Sequence, residues 1–228
     1  MSQNQPRSRS ALRRASMAVR RTIGAAMFDR RHGVETWQPV DLSTLDLAAE
    51  DRVEYTPSGW LDVRRALSKQ AIGPDDVFLD LGSGKGRVVL QAARFPFRRV
   101  LGVELSPELN TVAAANVEAA RARLRCRDVE LVTADLAEYR IPDDVTFAYT
   151  YNAFAGAVFQ RVLDELIASV ERRPRTLRLL YRTPREHDRV IGTGRFHLVR
   201  VITPWRPTHA WAALSAINVY ESTDRCSR

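Results

Sequence analysis

Val77-Phe-Leu-Asp-Leu-Gly-Ser-Gly-Lys-Gly-Arg-Val-Val-Leu90 decides how the rest of the chain is read. It runs from apolar residues through Asp80, crosses three glycines in five positions (Gly82, Gly84, Gly86), and re-enters an apolar run compatible with a helix. A short apolar run bounded by turn formers reads as a buried strand, and glycine lets backbone turn tightly or approach a ligand closely. The stretch predicts strand, glycine turn, helix.

Downstream the same rhythm repeats. Residues 99–104 form a short apolar strand ending in Glu104, and Ser106-Pro107-Glu108 opens a helix with a capping serine and proline at its first position. That helix runs through an Ala-rich stretch to about Arg123. Residues 129–132, 145–151 and 176–181 read as three more strands. Residues 155–170 between the last two read as an amphipathic helix, with Val158, Val162, Leu163, Leu166 and Ile167 on its apolar side. Residues 196–202 and 214–220 then break the alternation, as two strands joined by a Pro/Trp loop without a helix. The expected fold is α/β: a doubly wound, mainly parallel seven-stranded sheet with a C-terminal antiparallel β-hairpin.

Upstream, residues 61–72 predict a helix ended by Gly73-Pro74. Residues 25–60 are irregular, with Trp37, Tyr55 and Trp60 among turn formers. They read either as a lid over a binding site or as aromatic caps on the core. Residues 1–24 are rich in Arg, Ser and Ala, and suit a flexible basic tail, a surface helix or a targeting segment. Arg13, Arg14, Arg20 and Arg21 interrupt the apolar core that a secretory signal needs. The main domain is expected over residues 61–228.

At 228 residues and 45% hydrophobic, the chain suits one domain with an extension. No apolar run approaches the ~18 residues of a membrane span. Cys126 and Cys226 make neither a disulfide framework nor a CxxC metal pair, so no metal and a reducing, cytoplasmic setting are expected. The net charge of +8 divides unevenly: residues 1–31 carry +7, residues 32–171 carry −7 and residues 172–228 carry +8. The body holding the glycine turn is acidic, and Arg-rich ends are weak support for nucleic acid.

Three ligand classes use a glycine turn between strand and helix, because helix N-terminal amides there face the ligand. A phosphate-binding P-loop needs GxxxxGK followed by Ser or Thr; here Lys85 precedes Gly86, and Leu79 stands where the first glycine belongs. A dinucleotide fingerprint needs GxGxxG, but Arg87 occupies the place of its third glycine, which weakens an NAD(P) reading without removing it. The remaining pattern, acid-x-Gly-x-Gly-x-Gly, resembles motif I of the class I S-adenosylmethionine-dependent methyltransferases. Glu104, 24 positions after Asp80, and Asp135 after the third strand also stand where that family carries acids.

The resemblance implies S-adenosylmethionine as cofactor. Asp80, Gly82, Ser83, Gly84 and Gly86 would hold its methionyl end, Glu104 its ribose hydroxyls and Asp135 its adenine amino group, with Leu105 and Leu136 sandwiching the ring. Lys85 and Arg87 are expected at the surface or on the substrate side. Over about residues 52–155 the chain is similar to the non-SET histone-lysine methyltransferases, through Asp80-Leu-Gly-Ser-Gly-Lys-Gly-Arg87 and Gly102-Val-Glu104. Tyr151-Asn-Ala-Phe154 resembles the Asn-Pro-Pro-Tyr/Phe motif of amino-group methyltransferases without its prolines. That implies an amino nitrogen of a lysine-like protein side chain or a small molecule as acceptor, oriented by Asn152 and walled by Phe154 and Tyr55. The alternatives are an NAD(P)-dependent oxidoreductase and a non-catalytic S-adenosylmethionine-binding module.

Overall fold

The computed structural model describes residues 29–37, 58–59, 62–151, 153–203 and 216–223. Seven strands, β1 (Val77–Leu81), β2 (Arg99–Glu104), β3 (Val129–Thr133), β4 (Phe147–Thr150), β5 (Arg178–Arg182), β6 (Phe196–Ile202) and β7 (Ile217–Ser222), form one sheet in the order β3-β2-β1-β4-β5-β7-β6. The first five are parallel, and β7 lies antiparallel between β5 and β6. The expected doubly wound sheet with its terminal antiparallel hairpin is what forms.

Residues 29–32 are helical, and α1 (Asp62–Leu67), α2 (Arg87–Ala92), α3 (Pro107–Ala120), α4 (Gly156–Arg172) and α5 (His187–Gly192) accompany the strands, with a 3-10 turn at Arg121–Arg123 after α3. Strand residues alternate between two cores, which explains why strands buried on both faces read as unbroken apolar runs. Phe78, Val100, Phe147 and Tyr149 pack with α1, α2 and α3 on one face. Val77, Leu79, Leu81, Leu101 and Tyr181 pack with Phe159, Val162, Leu163 and Leu166 of α4 on the other.

The Ser106 hydroxyl accepts from Leu109 N at 3.1 Å and caps α3 as its sequence implies. The helix expected over residues 61–72 is shorter, because Lys69 N and Gln70 N bond three residues back, to Ala66 O and Leu67 O, and tighten the last turn. Helix α5 was not expected. Its six residues bury one apolar side chain, Val190, which leaves no periodicity to read.

Helix α2 is buried on every side, Arg87 and Gln91 included. A helix buried all round needs cover on the side away from the sheet. Part of it comes from α1, whose Arg64 N donates to Gln91 Oε1 at 3.3 Å. The rest comes from residues 29–37, whose Val34 joins the core.

Candidate active site

The C-terminal ends of β1, β2 and β4 build the site around the glycine turn. Residue alternation along β1 turns Asp80 to the same face as Phe78, beside Gly102 of β2 and Tyr149 of β4. Asp80 is 2% exposed, and its Oδ2 has no hydrogen-bond partner among the described residues. Burial, and then the neighbouring Glu104 charge, raise its pKa well above the usual carboxylate range. Ser83 Oγ and Thr150 Oγ1 are likewise buried without a hydrogen-bond partner there.

The turn needs its glycines. Gly82 and Gly86 have φ of 82° and 79°, in the left-handed region. A Cβ on Gly82 would stand 2.4 Å from the Ala153 Cβ, so the turn and the β4 loop are in direct contact. At Gly86 a Cβ would lie 3.1 Å from that of Ala113. Gly86→Ala is expected to cost about 1–2 kcal/mol through its backbone conformation, a fall of a few degrees in Tm that calorimetry would read.

Glu104 latches the turn to β2. Its Oε2 accepts from Gly84 N at 2.7 Å and its Oε1 from Ser106 N at 3.0 Å. Burial raises its pKa despite these bonds, which act in the opposite direction. Ala134 N donates to Glu104 O at 3.0 Å, bringing the segment after β3 alongside. In that segment Asp135 Oδ1 accepts from Ala137 N at 2.9 Å, and Leu105 and Leu136 are half-buried. Asp80, Gly82, Ser83, Gly84, Gly86 and Glu104 are thus in one place, with Leu105, Asp135 and Leu136 at the ends of the adjoining strands.

Of the acceptor-side residues, Tyr55 and Asn152 lie outside the described residues. Phe154 is 5% exposed, its ring 5.9 Å from that of Phe159 in the core. Tyr181 stacks on Phe159 at 5.4 Å, and burial pushes its phenol up to about 12. Beside them, the Arg182 guanidinium sits 4.3 Å above the Tyr151 ring. Thr183, the next residue, holds a φ of 51°.

Lys85 and Arg87 correct the sequence reading, which put them at the surface or on the substrate side: both are 4% exposed. Arg87 Nε donates to Thr36 Oγ1 at 2.8 Å and Nη1 to Ser58 O at 3.0 Å, while Nη2 lies 3.8 Å from Asp29 Oδ1. Asp29 in turn accepts from Thr36 N and Thr36 Oγ1, at 2.6 and 2.9 Å. Ser58 Oγ and Tyr149 OH are 2.8 Å apart. Lys85 Nζ donates to Glu35 Oε1 at 2.8 Å. Asn116 Nδ2 donates to both Glu35 O and Lys85 O. The side chains flanking Gly86 therefore fasten the segment before the domain onto the glycine turn. One signal was present in the sequence: Asn116 stands on the buried side of α3 with Leu109, Ala113, Val117 and Ala120.

An orphaned buried carboxylate oxygen beside a glycine-rich turn suits a ligand with a positive group that backbone approaches closely. S-adenosylmethionine fits this setting, since its methionyl end carries an ammonium next to a sulfonium.

Residues 78–173 match a family described as a methyltransferase domain. The chain is 39% identical over 67 residues to a protein-lysine N-methyltransferase of Saccharolobus islandicus, a match covering 29% of this chain and 42% of that relative. Among solved structures, an RNA methyltransferase from Salinibacter ruber in complex with S-adenosyl-L-homocysteine superposes with a TM-score of 0.52 at 24% identity, over 74% of this chain and 93% of that one. A TehB-like SAM-dependent methyltransferase from Corynebacterium glutamicum gives 0.53 at 16% identity, over 72% and 88%. These two likenesses concern the fold. The family match falls on the strands and turn that carry the site, and with this fold it supports a class I S-adenosylmethionine-dependent methyltransferase.

Proposed function

We propose that the protein transfers a methyl group from S-adenosylmethionine to an amino nitrogen, with a lysine side chain of a protein as acceptor. The observation that carries the choice of acceptor is the likeness to the Saccharolobus islandicus protein-lysine N-methyltransferase. The cofactor supplies a methyl group on a positively charged sulfur, so its leaving group is already activated.

The chain supplies binding and orientation. Asp80 holds the positive methionyl end, and the glycines of the turn let the backbone approach it closely. Glu104 accepts from the ribose hydroxyls, since a carboxylate has about four acceptor positions and two are taken here. Asp135, Leu105 and Leu136 hold the adenine.

An amine must arrive neutral to attack. The Arg182 guanidinium over Tyr151 supports this reading, because a fixed positive charge beside the site disfavours a protonated amine. Asn152 orients the nitrogen and solvent takes its proton. Positioning is the main contribution, for which effective molarities of about 10⁵ M or more are known.

Tritium-labelled cofactor, offered with a lysine-rich protein mixture and separately with RNA, tests the assignment: the label is expected in methyl-lysine after acid hydrolysis. Label confined to RNA overturns it. Asn152→Ala is expected to lower kcat roughly 100-fold, the scale of lost positioning, with S-adenosylhomocysteine affinity unchanged. Full turnover in that variant rejects the role of Asn152.

A further inference from the structure

The parallel strands put the glycine turn at one end of the sheet, and α2 and α3 run back toward the other. There Arg94, two residues past α2, and Arg123, in the 3-10 turn Arg121–Arg123 after α3, meet Arg31 and His32 around an open cleft of about 570 Å³. Arg123 Nη1 donates to Arg31 O at 3.2 Å and ties two of its walls together. Arg64 of α1 is near as well. Burial first, and then the positive charges of Arg64 and Arg123, hold the Arg94 guanidinium below its usual pKa.

Composition does not explain this concentration of positive charge, because residues 32–171 carry a net −7. A helix C-terminus favours a cation nearby. That accounts for an arginine at each helix end, but not for their convergence with Arg31 and His32 on one cleft.

We propose that this cleft docks the phosphates of a nucleic-acid strand, at the end of the sheet away from the methyl-transfer site and whichever acceptor that site takes. Guanidinium forks match phosphate oxygens in pairs. Among the described residues the cleft is lined by cations with no Phe, Tyr or Trp on which a base would stack, which favours recognition of backbone over sequence. A long polyanion is favoured over a lone phosphate because Arg31 is the last of eight arginines in residues 1–31, a stretch of net +7.

The test is fluorescence anisotropy with the full-length protein and a labelled single-stranded RNA of about 20 nucleotides, across a salt series. The paired substitutions Arg31→Glu and Arg123→Glu are expected to weaken binding about ten-fold or more and to lower the salt slope by about one to two. S-adenosylhomocysteine affinity should not move, and Arg7→Glu with Arg9→Glu should have a smaller effect on RNA binding. Arg123 is exposed, so Arg123→Glu alone carries the test if the pair fails to fold. The proposal is overturned if the cleft variant binds RNA as the native chain does, or if the native chain binds no RNA at about 100 mM salt. Binding only of inorganic pyrophosphate, or only of phosphatidylglycerol vesicles, overturns it equally.

Discussion

Replacing Arg87 with methionine is expected to lower the unfolding free energy by about 3–5 kcal/mol, because it takes the guanidinium away from the buried Asp29 carboxylate. Both side chains of the pair are 5% exposed, and the guanidinium also serves Thr36 and Ser58. The Tm should fall by roughly 10 °C. The expected origin is testable in a double-mutant cycle. Combining Asp29→Asn with Arg87→Met should recover part of the loss, since the asparagine removes the carboxylate charge that the methionine no longer balances. Arg87→Lys should fall between, because one ammonium cannot span the three partners that the guanidinium fork reaches. A methionine variant melting within a degree or two of the native protein would show that the N-terminal segment is not held through this residue.

Asp80→Asn should move stability and cofactor affinity in opposite directions. The folded-state pKa of Asp80 is raised, chiefly by burial and then by Glu104. A carboxyl group raised in the folded state contributes stability below its unfolded value of about 4, and this is lost as pH rises through the folded value. Asparagine has no charge to desolvate, so at pH 8 the ligand-free variant is expected to melt higher than the native protein. Its S-adenosylhomocysteine affinity should nevertheless drop about 10- to 100-fold, the scale of one lost hydrogen bond to a charged group. In the native protein a cationic ligand favours the ionised carboxylate, so affinity should rise with pH through the ligand-free pKa and binding should release a proton. Calorimetry in buffers of different ionisation enthalpy would read that proton. If affinity stays at the native value in the variant, Asp80 does not hold the positive end of the ligand.

The strands, the glycine turn and the capped start of α3 were legible because each depends on neighbours in the chain. Val77 to Leu81 are apolar but for Asp80, and Ser106 with Pro107 marks a helix start wherever it occurs. The placement of Lys85 and Arg87 was not legible. Charged side chains next to a turn are solvated unless something covers them, and the cover comes from residues 29–37 and Ser58, far away along the chain. Residues 25–60 read only as a lid or as aromatic caps for the same reason: the partners of Asp29, Val34 and Glu35 belong to α2, α3 and the core.

By itself the sequence determined the alternation of elements and the kind of ligand the glycine turn can accept, since strand periodicity, capping and glycine conformation are local properties. Only the tertiary structure decided that Asp80 is buried beside Glu104, that β7 inserts between β5 and β6, and that arginines from three separate segments converge on one cleft. Burial and the distance between charges depend on which distant segments pack together, and no local pattern encodes that.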